Sequence, residues 1–157
     1  MIKANQEISD KKIVEDILQN SKIIRLAIYD DNVPYIVPFN YGYKENCIYI
    51  HSAPVGKKID LLKKNNRVGF EIEHTARIIE KELACKWSTL YRSIIGQGWV
   101  EILVEHGQKV AGLDIIMKHN GFLGKTVYGQ KPLDSMVILK LTIENLTAKQ
   151  SGNWESH

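Results

Sequence analysis

At 157 residues, 44% of them hydrophobic and 25% charged, the chain has the composition of a single soluble globular domain spanning 1–157, with enough material for a hydrophobic core. A formal net charge of +3 is too small to point to nucleic acid, although it suits a small anionic ligand. No apolar run approaches the roughly 18–20 residues of a membrane span, the start Met1–Glu7 has no signal-peptide block, and Cys47 and Cys85 form no CxxC pair, so a cytoplasmic protein without a structural zinc is expected.

Ser9-Asp10 reads as a helix start ahead of Ile13, Val14, Ile17 and Leu18 at helical spacing, and Asn20-Ser21 as its end. Ile23–Tyr29 has the β-branched content of a strand. Asp30-Asp31-Asn32 supplies hairpin chemistry, and extended structure resumes from Val33 to Tyr43. Pro34 and Pro38 cannot donate to a ladder, so this strand is expected at an edge or a bulge, where backbone groups stay free to meet a ligand. Lys44-Glu45-Asn46 turns into a third strand from Cys47, in which Ile48 and Ile50 alternate with Tyr49 and His51. That strand breaks at Ser52-Ala53-Pro54 and gives way to a helix over about Val55–Lys64, apolar at Ile59, Leu61 and Leu62. Arg67–Glu73 alternates cleanly as a fourth strand. From His74 to Ser88 the pattern weakens, which leaves a loop, a short strand around Arg77–Ile79, or both. Tyr91–Val104 is a long strand whose Gly96 and Gly98 suggest a bulge or a close backbone approach. Gly107–His119 has helical periodicity, Asn120–Pro132 is irregular, Ser135–Thr147 reads as the last strand, and the tail 150–157 as flexible. Six or so strands joined by short connections exclude parallel crossovers. An antiparallel barrel with three flanking helices is the closure that removes exposed edges.

The most informative stretch for chemistry is Cys47–Asp60. Gly56, Lys57 and Lys58 sit where the helix opens, and free amides, the positive end of the helix dipole and two ammonium groups together favour an anion, above all a phosphate. His51 and Ser52 end the preceding strand at the same corner. The same residues also describe an ordinary strand-turn-helix junction with solvated lysines, since no P-loop or dinucleotide fingerprint accompanies them. His51 is either a surface residue or a hydrogen-bond donor and proton relay near neutral pH. The other histidines, His74, His106, His119 and His157, make no i,i+4 pair, so no metal site is expected. There is no G-x-S-x-G elbow, and Glu71 and Glu73 read as solvent-facing. Trp87–Ser93 interleaves rings with hydroxyls and one arginine. It could line a flat cofactor, with Arg92 for an anion and Ser93 for a hydrogen bond, or it could be a barrel strand with a polar outer face. Tyr41 and Tyr43, with Asn40, offer further polar tips beside the proline-marked strand.

Val37-Pro38-Phe39-Asn40-Tyr41, Tyr49-Ile50-His51-Ser52-Ala53, Gly56-Lys57-Lys58-Ile59-Asp60 and Tyr91-Arg92-Ser93-Ile94-Ile95 with Gly98 occur in the order found in FMN-binding split-barrel proteins. Over about 14–147 the chain resembles that family, and within it the nitroimidazole-resistance branch of the pyridoxamine 5′-phosphate oxidase-like superfamily. The resemblance implies a six-stranded antiparallel split β-barrel, mainly β with flanking helices, forming a homodimer with FMN in the grooves between subunits. It implies that Lys57, Lys58 and Ser52 hold the FMN phosphate. By the same likeness Val37, Pro38, Phe39 and Asn40 flank the isoalloxazine ring, Arg92 and Ser93 complete the phosphate or ribityl contacts, and His51 lies near the ring or substrate. The chain departs from the pyridoxamine phosphate oxidases in two places. Their arginine is replaced in the Val37-Pro38 strand, and the tail Gln150–His157 has no arginine, which argues against strict oxidase activity. The function implied is an FMN-dependent oxidoreductase that reduces small electron-poor molecules such as nitroaromatics, with a nicotinamide donor and His51 as proton donor. The alternatives are a non-catalytic flavin-binding or sensor protein, and a haem-binding split barrel with a histidine ligand.

Overall fold

The structure is a computed structural model that describes residues 6–154, without the side chains at 75 and 76. Residues 1–5 and 155–157, including His157 and the end of the tail read as flexible, lie outside the described residues. Helix α1 (Lys11–Asn20) starts where expected, with the Asp10 carboxylate accepting the Lys12 amide proton at 2.8 Å. The strands β1 (Ile23–Ile28), β2 (Tyr35–Asn40), β3 (Gly42–Lys44), β4 (Cys47–Ser52), β5 (Arg67–Ile79), β6 (Ser88–Leu103) and β7 (Val137–Ser151) form one seven-stranded antiparallel sheet. Its order is β2-β1-β5-β6-β7-β4-β3. Helices α2 (Lys57–Lys64), α3 (His106–His119) and the short α4 (Gln130–Asp134) flank it, and a 3-10 turn at Ala84–Lys86 tips the β5–β6 hairpin. The class is the mainly antiparallel β barrel with flanking helices read from the sequence, with one strand and one short helix more than expected.

The extra strand arises from Tyr41. Val33–Tyr43 reads as one extended run, but β2 pairs with β1 (Ile23↔Asn40) whereas β3 pairs with β4 (Gly42↔Tyr49). The two outermost strands of the sheet are therefore consecutive in the chain, and the barrel is closed covalently through one residue. Tyr41 is fully buried; its hydroxyl donates to the Leu18 carbonyl at 2.7 Å and its own carbonyl accepts from Asn120 Nδ2 at 3.0 Å. Gly42 makes the corner possible because α3 packs on it. A Cβ there would lie 2.6 Å from the Ile116 backbone.

The proline-marked strand β2 is indeed an edge. Turn residues Glu45 and Asn46 take φ of 50° and 63°, as a tight hairpin requires. The weak pattern after His74 hides a continuation of β5 to Ile79: the β5–β6 register shifts between Glu73 and Thr75, and alternation fails across a bulge. At the glycines, the β6–β7 register shifts between Gln97 and Gly98, and a Cβ on Gly98 would lie 2.0 Å from the Thr142 carbonyl oxygen. Strand β7 runs four residues past Thr147, so Gln150 and Ser151 belong to the sheet rather than to a free tail.

Ile24, Leu26, Ile48, Ile50, Ile72, Ile94, Leu139 and Leu141, each 0% exposed, fill the barrel, with Ile17 and Leu18 of α1 and Ile59 and Leu62 of α2 packed against them. Full burial of side chains of this size stabilises by about 1.5–3 kcal/mol each. A second cluster, Leu103, Leu113, Ile116, Leu133 and Ile138, seats α3 and α4 on the outside of β7. Buried Lys109 joins it by donating to the Leu133 and Met136 carbonyls at the end of α4. The irregular stretch after α3 is tied back through Asp114, which accepts from the Thr126 hydroxyl at 2.6 Å and the Tyr128 hydroxyl at 2.8 Å.

Candidate functional site

The corner at Tyr41 creates a split. Strand β2 is bonded to β1 along one edge, and its other edge has no strand partner among the described residues. Strand β4 is bonded to β3 only as far as Tyr49; beyond it, His51 and Ser52 pair with Ile138 and Val137 of β7 and have no strand partner on their other side among the described residues. Two unpaired edges, Val37–Asn40 and the end of β4, thus diverge from one corner. The far end of the split is pinned by α2. Lys57 Nζ lies 2.8 Å from Asp30 Oδ2 and 4.7 Å from the centre of the Tyr35 ring, at the start of β2.

Most of the sequence-predicted residues lie on the elements that border this split. Val37 and Phe39 are half-buried and face the core side, whereas Pro38 and Asn40 are exposed. His51 is exposed at the strand end, and Ser52, only 5% exposed, donates its hydroxyl to the Ala53 carbonyl at 2.9 Å. Gly56 opens α2 with φ at 114°, its carbonyl accepting from the Ile59 and Asp60 amides at 2.9 and 3.1 Å. No side chain caps this helix start, and open space surrounds Gly56. Uncapped first-turn amides beside the exposed Lys57 and the half-buried Lys58 are the donor set a phosphate needs. The Asp30–Lys57 pair is what spacing could not reveal: 27 residues apart, it is joined only by the fold.

Arg92 and Ser93 are not part of this split. Successive strand residues point to opposite faces, so the two cannot address one point. Arg92 stacks on Trp154, 4.0 Å from the ring centre, and donates to Gln150 at 3.1 Å. Ser93 pairs with Glu73 and Lys149 in the row that Ile94 (against Ile72) and Asn40 (against Ile23) bracket. That places it about three strand spacings, or 14 Å, from Asn40. Tyr41 and Tyr43 are likewise engaged. The Tyr43 hydroxyl donates to Glu15 at 2.9 Å, and burial together with that carboxylate pushes its pKa up to about 12. Among the described residues no three His, Cys, Asp or Glu side chains cluster as a metal set, and no helix is long and apolar enough to cross a membrane.

On the outer face of β1, β5 and β6 lies an open groove of about 760 Å³, floored by Ala27, Gly69 and Gly96 and walled by Asp30, Arg67 and Ile95. Around it Ile36, Ile95 and Trp99 are 62%, 60% and 40% exposed. Asp30 borders both this groove and the split.

A sequence model of the family described as pyridoxamine 5′-phosphate oxidase matches residues 10–150. The chain is 41% identical over 54 residues to an uncharacterized protein of Rhizobium meliloti (strain 1021), a match that spans 34% of this chain and 35% of that protein. Among solved structures, it is similar to a candidate 5-nitroimidazole antibiotic resistance protein of Bacteroides thetaiotaomicron, with a TM-score of 0.81 and 29% identity over 91% of this chain and 85% of the other. An FAD and heme binding protein of Mycobacterium smegmatis shares the fold at a TM-score of 0.82 and 19% identity, covering 95% and 75% of the two chains. An FAD-binding protein of Mesorhizobium loti does so at 0.65 and 22%, covering 91% and 96%. With nine-tenths of its length matched by the family model, the chain belongs to the pyridoxamine 5′-phosphate oxidase-like family of split barrels.

Proposed function

We propose that the protein is an FMN-binding flavoprotein acting as a homodimeric reductase of small electron-poor molecules, nitroaromatics among them, with a nicotinamide as electron donor. The observation that carries this reading is the split itself: two unpaired strand edges that diverge from Tyr41 and end at an uncapped helix start with two lysines. FAD binding by the similar proteins of Mycobacterium smegmatis and Mesorhizobium loti supports the flavin, and likeness to a 5-nitroimidazole resistance protein supports the substrate class.

Bound there, the flavin would supply hydride and electron transfer. The chain's own residues do the rest. Lys57, Lys58 and the first-turn amides of α2 hold the phosphate, with the Ser52 hydroxyl beside them once it leaves the Ala53 carbonyl. The free edge of Val37–Asn40 offers backbone groups to the polar rim of a ring, and Pro38, with no N–H, leaves part of that edge apolar. His51, exposed at the mouth, holds or delivers a proton at its imidazole. Ile36 and Ile95 offer an apolar face to a second copy, and Ser93, two residues from Ile95 on that face, serves the partner's groove rather than the split of its own chain.

The first test is the visible absorption spectrum of the purified protein, followed by FMN titration of the apoprotein. A flavin pair of bands near roughly 370 and 450 nm is expected, whereas one intense band near roughly 400 nm indicates haem and overturns the reading. Replacing Lys57 and Lys58 together by Ala is expected to weaken FMN binding by about 2–4 kcal/mol, most of it from Lys58, because Lys57 already has a counterion. Unchanged affinity removes the phosphate assignment. Holoprotein that binds FMN but oxidises no nicotinamide with any nitroaromatic acceptor is a flavin carrier or sensor.

A further inference from the structure

Lys57, the first residue of α2, already has a carboxylate partner. Lys57 Nζ is 2.8 Å from Asp30 Oδ2; the Lys57 side chain is 59% exposed and that of Asp30 23%, so water screens the pair from the lysine side and the attraction is modest. The Tyr35 ring below the ammonium adds a cation–π contact at 4.7 Å. Helix α2 does not need this pair for docking. Ile59 and Leu62 are 1% and 3% exposed in the core, and the Asn65 amide closes the helix on the Leu61 carbonyl at 2.9 Å. Nor does the hairpin that follows β1 need it, since its register is set by six β1–β2 residue pairs from Ile23↔Asn40 to Ile28↔Tyr35.

We propose, on the phosphate reading of this corner, that Asp30 is a resident counterion for Lys57, an internal carboxylate that the flavin phosphate must displace or tolerate as a neighbour. Binding is then an exchange of one anion for another. An unpaired Lys57 would attract a phosphate with its full charge; the paired one contributes only the difference between phosphate and carboxylate. The carboxylate also lies on the groove side of the turn, beside Asp31 and Asn32, so a dianion arriving at Lys57 meets local negative charge as well. Asp30 thereby lowers phosphate affinity and keeps the flavin exchangeable. The opposite role is physically distinct. If Asp30 served to aim Lys57 at the phosphate, its removal would free the ammonium and weaken binding.

The experiment is FMN titration of the apoprotein, followed by quenching of flavin fluorescence, for wild type, Asp30→Asn, Lys57→Met and the double variant, with riboflavin as the phosphate-free probe. Asp30→Asn keeps the size and turn chemistry of the residue and removes the charge. It is expected to tighten FMN about three- to tenfold and to leave riboflavin unchanged. Lys57→Met is expected to cost little in wild type and clearly more in the Asp30→Asn background, because only there is the ammonium fully available. FMN affinity that is unchanged or weaker in Asp30→Asn overturns the counterion role while leaving the phosphate reading in place. A gain that riboflavin shares equally overturns it too, since a structural change would then be responsible. Failure of both wild type and Asp30→Asn to bind FMN removes the phosphate reading and this inference with it.

Discussion

His119 has no place in the proposed chemistry, yet its surroundings dictate its protonation state. Its Nε2 lies 2.7 Å from the Ser21 carbonyl oxygen, which can only accept, so Nε2 carries a proton; the Tyr43 amide donates to Nδ1 at 3.3 Å, so Nδ1 does not. The ring also packs on Tyr41, with centroids 4.6 Å apart, beside the corner that closes the barrel. A second proton on Nδ1 would face the Tyr43 N–H donor to donor. Burial lowers the His119 pKa below its usual value, the Ser21 carbonyl opposes this, and Lys22 reinforces it. The folded state therefore takes up a proton less readily than the unfolded chain. Stability from this group is fully present above about pH 6.5, falls as pH drops below that unfolded value, and levels off at the lower folded pKa. Urea unfolding at pH 7.5 and pH 5 should show this loss in wild type, and a smaller one in His119→Gln, which cannot titrate. Equal pH dependence in the two proteins would place the acid sensitivity elsewhere.

At the scale of elements, two positions where backbone meets backbone hold the barrel's shape. Gly42 lets α3 lie against the β2–β3 corner, and Gly98 lets β6 approach the Thr142 carbonyl at the bulge. Neither glycine needs a positive φ, so conformational strain is not the issue; space is. Because the atoms in the way at Gly42 are main-chain atoms of α3, they cannot rotate aside, and Gly42→Ala is expected to cost about 2–3 kcal/mol. Urea denaturation checks this, and the loss should come with a loosened α3, seen as faster amide exchange at Lys118–Asn120. The same elements show what the sequence could and could not carry. Gly98 was readable as a close approach because a glycine inside an alternating strand has few other reasons to be there. Pro34 and Pro38 marked an edge for an equally local reason. The corner at Tyr41 was not readable, since its cause is a helix some 75 residues downstream and nothing in Asn40-Tyr41-Gly42 breaks an extended pattern. The extension of β5 past His74 was hidden by a bulge that reverses the alternation on which the reading depends. The lysines, His51, Ser52 and β2 were legible as one candidate site because the chain delivers them within about twenty residues. Asp30 was not, because only folding makes it a neighbour of Lys57.

At the scale of the whole molecule, the outer face of β2, β1, β5 and β6 is the surface the fold leaves unfinished. Cross-strand registers put Ile36 beside Ala27 and Gly69, and Pro38 beside Arg25, Glu71 and Ile95, so two exposed isoleucines flank a shallow floor of small residues. Single exposed apolar side chains are ordinary on protein surfaces, but a clustered set with a groove between them is the pattern of an interface core. The charges on this stretch are paired, Arg25 with Glu71 at 2.9 Å and Arg67 with Glu144, so they cancel and would not repel a second copy. In the proposed homodimer this face is self-complementary about a two-fold axis, and each split is completed by the other chain, Ser93 lying on the docking side rather than in its own split. Ile36→Glu combined with Ile95→Glu puts two carboxylates per chain into that core. Sedimentation should then report monomers where wild type sediments as a dimer, with circular dichroism unchanged because both side chains point away from the barrel interior. Flavin affinity should fall in step with dissociation if the ligand bridges two chains. A monomer that binds FMN as tightly as wild type would instead assign the whole site to the split, from Val37–Asn40 to Lys58, within one chain.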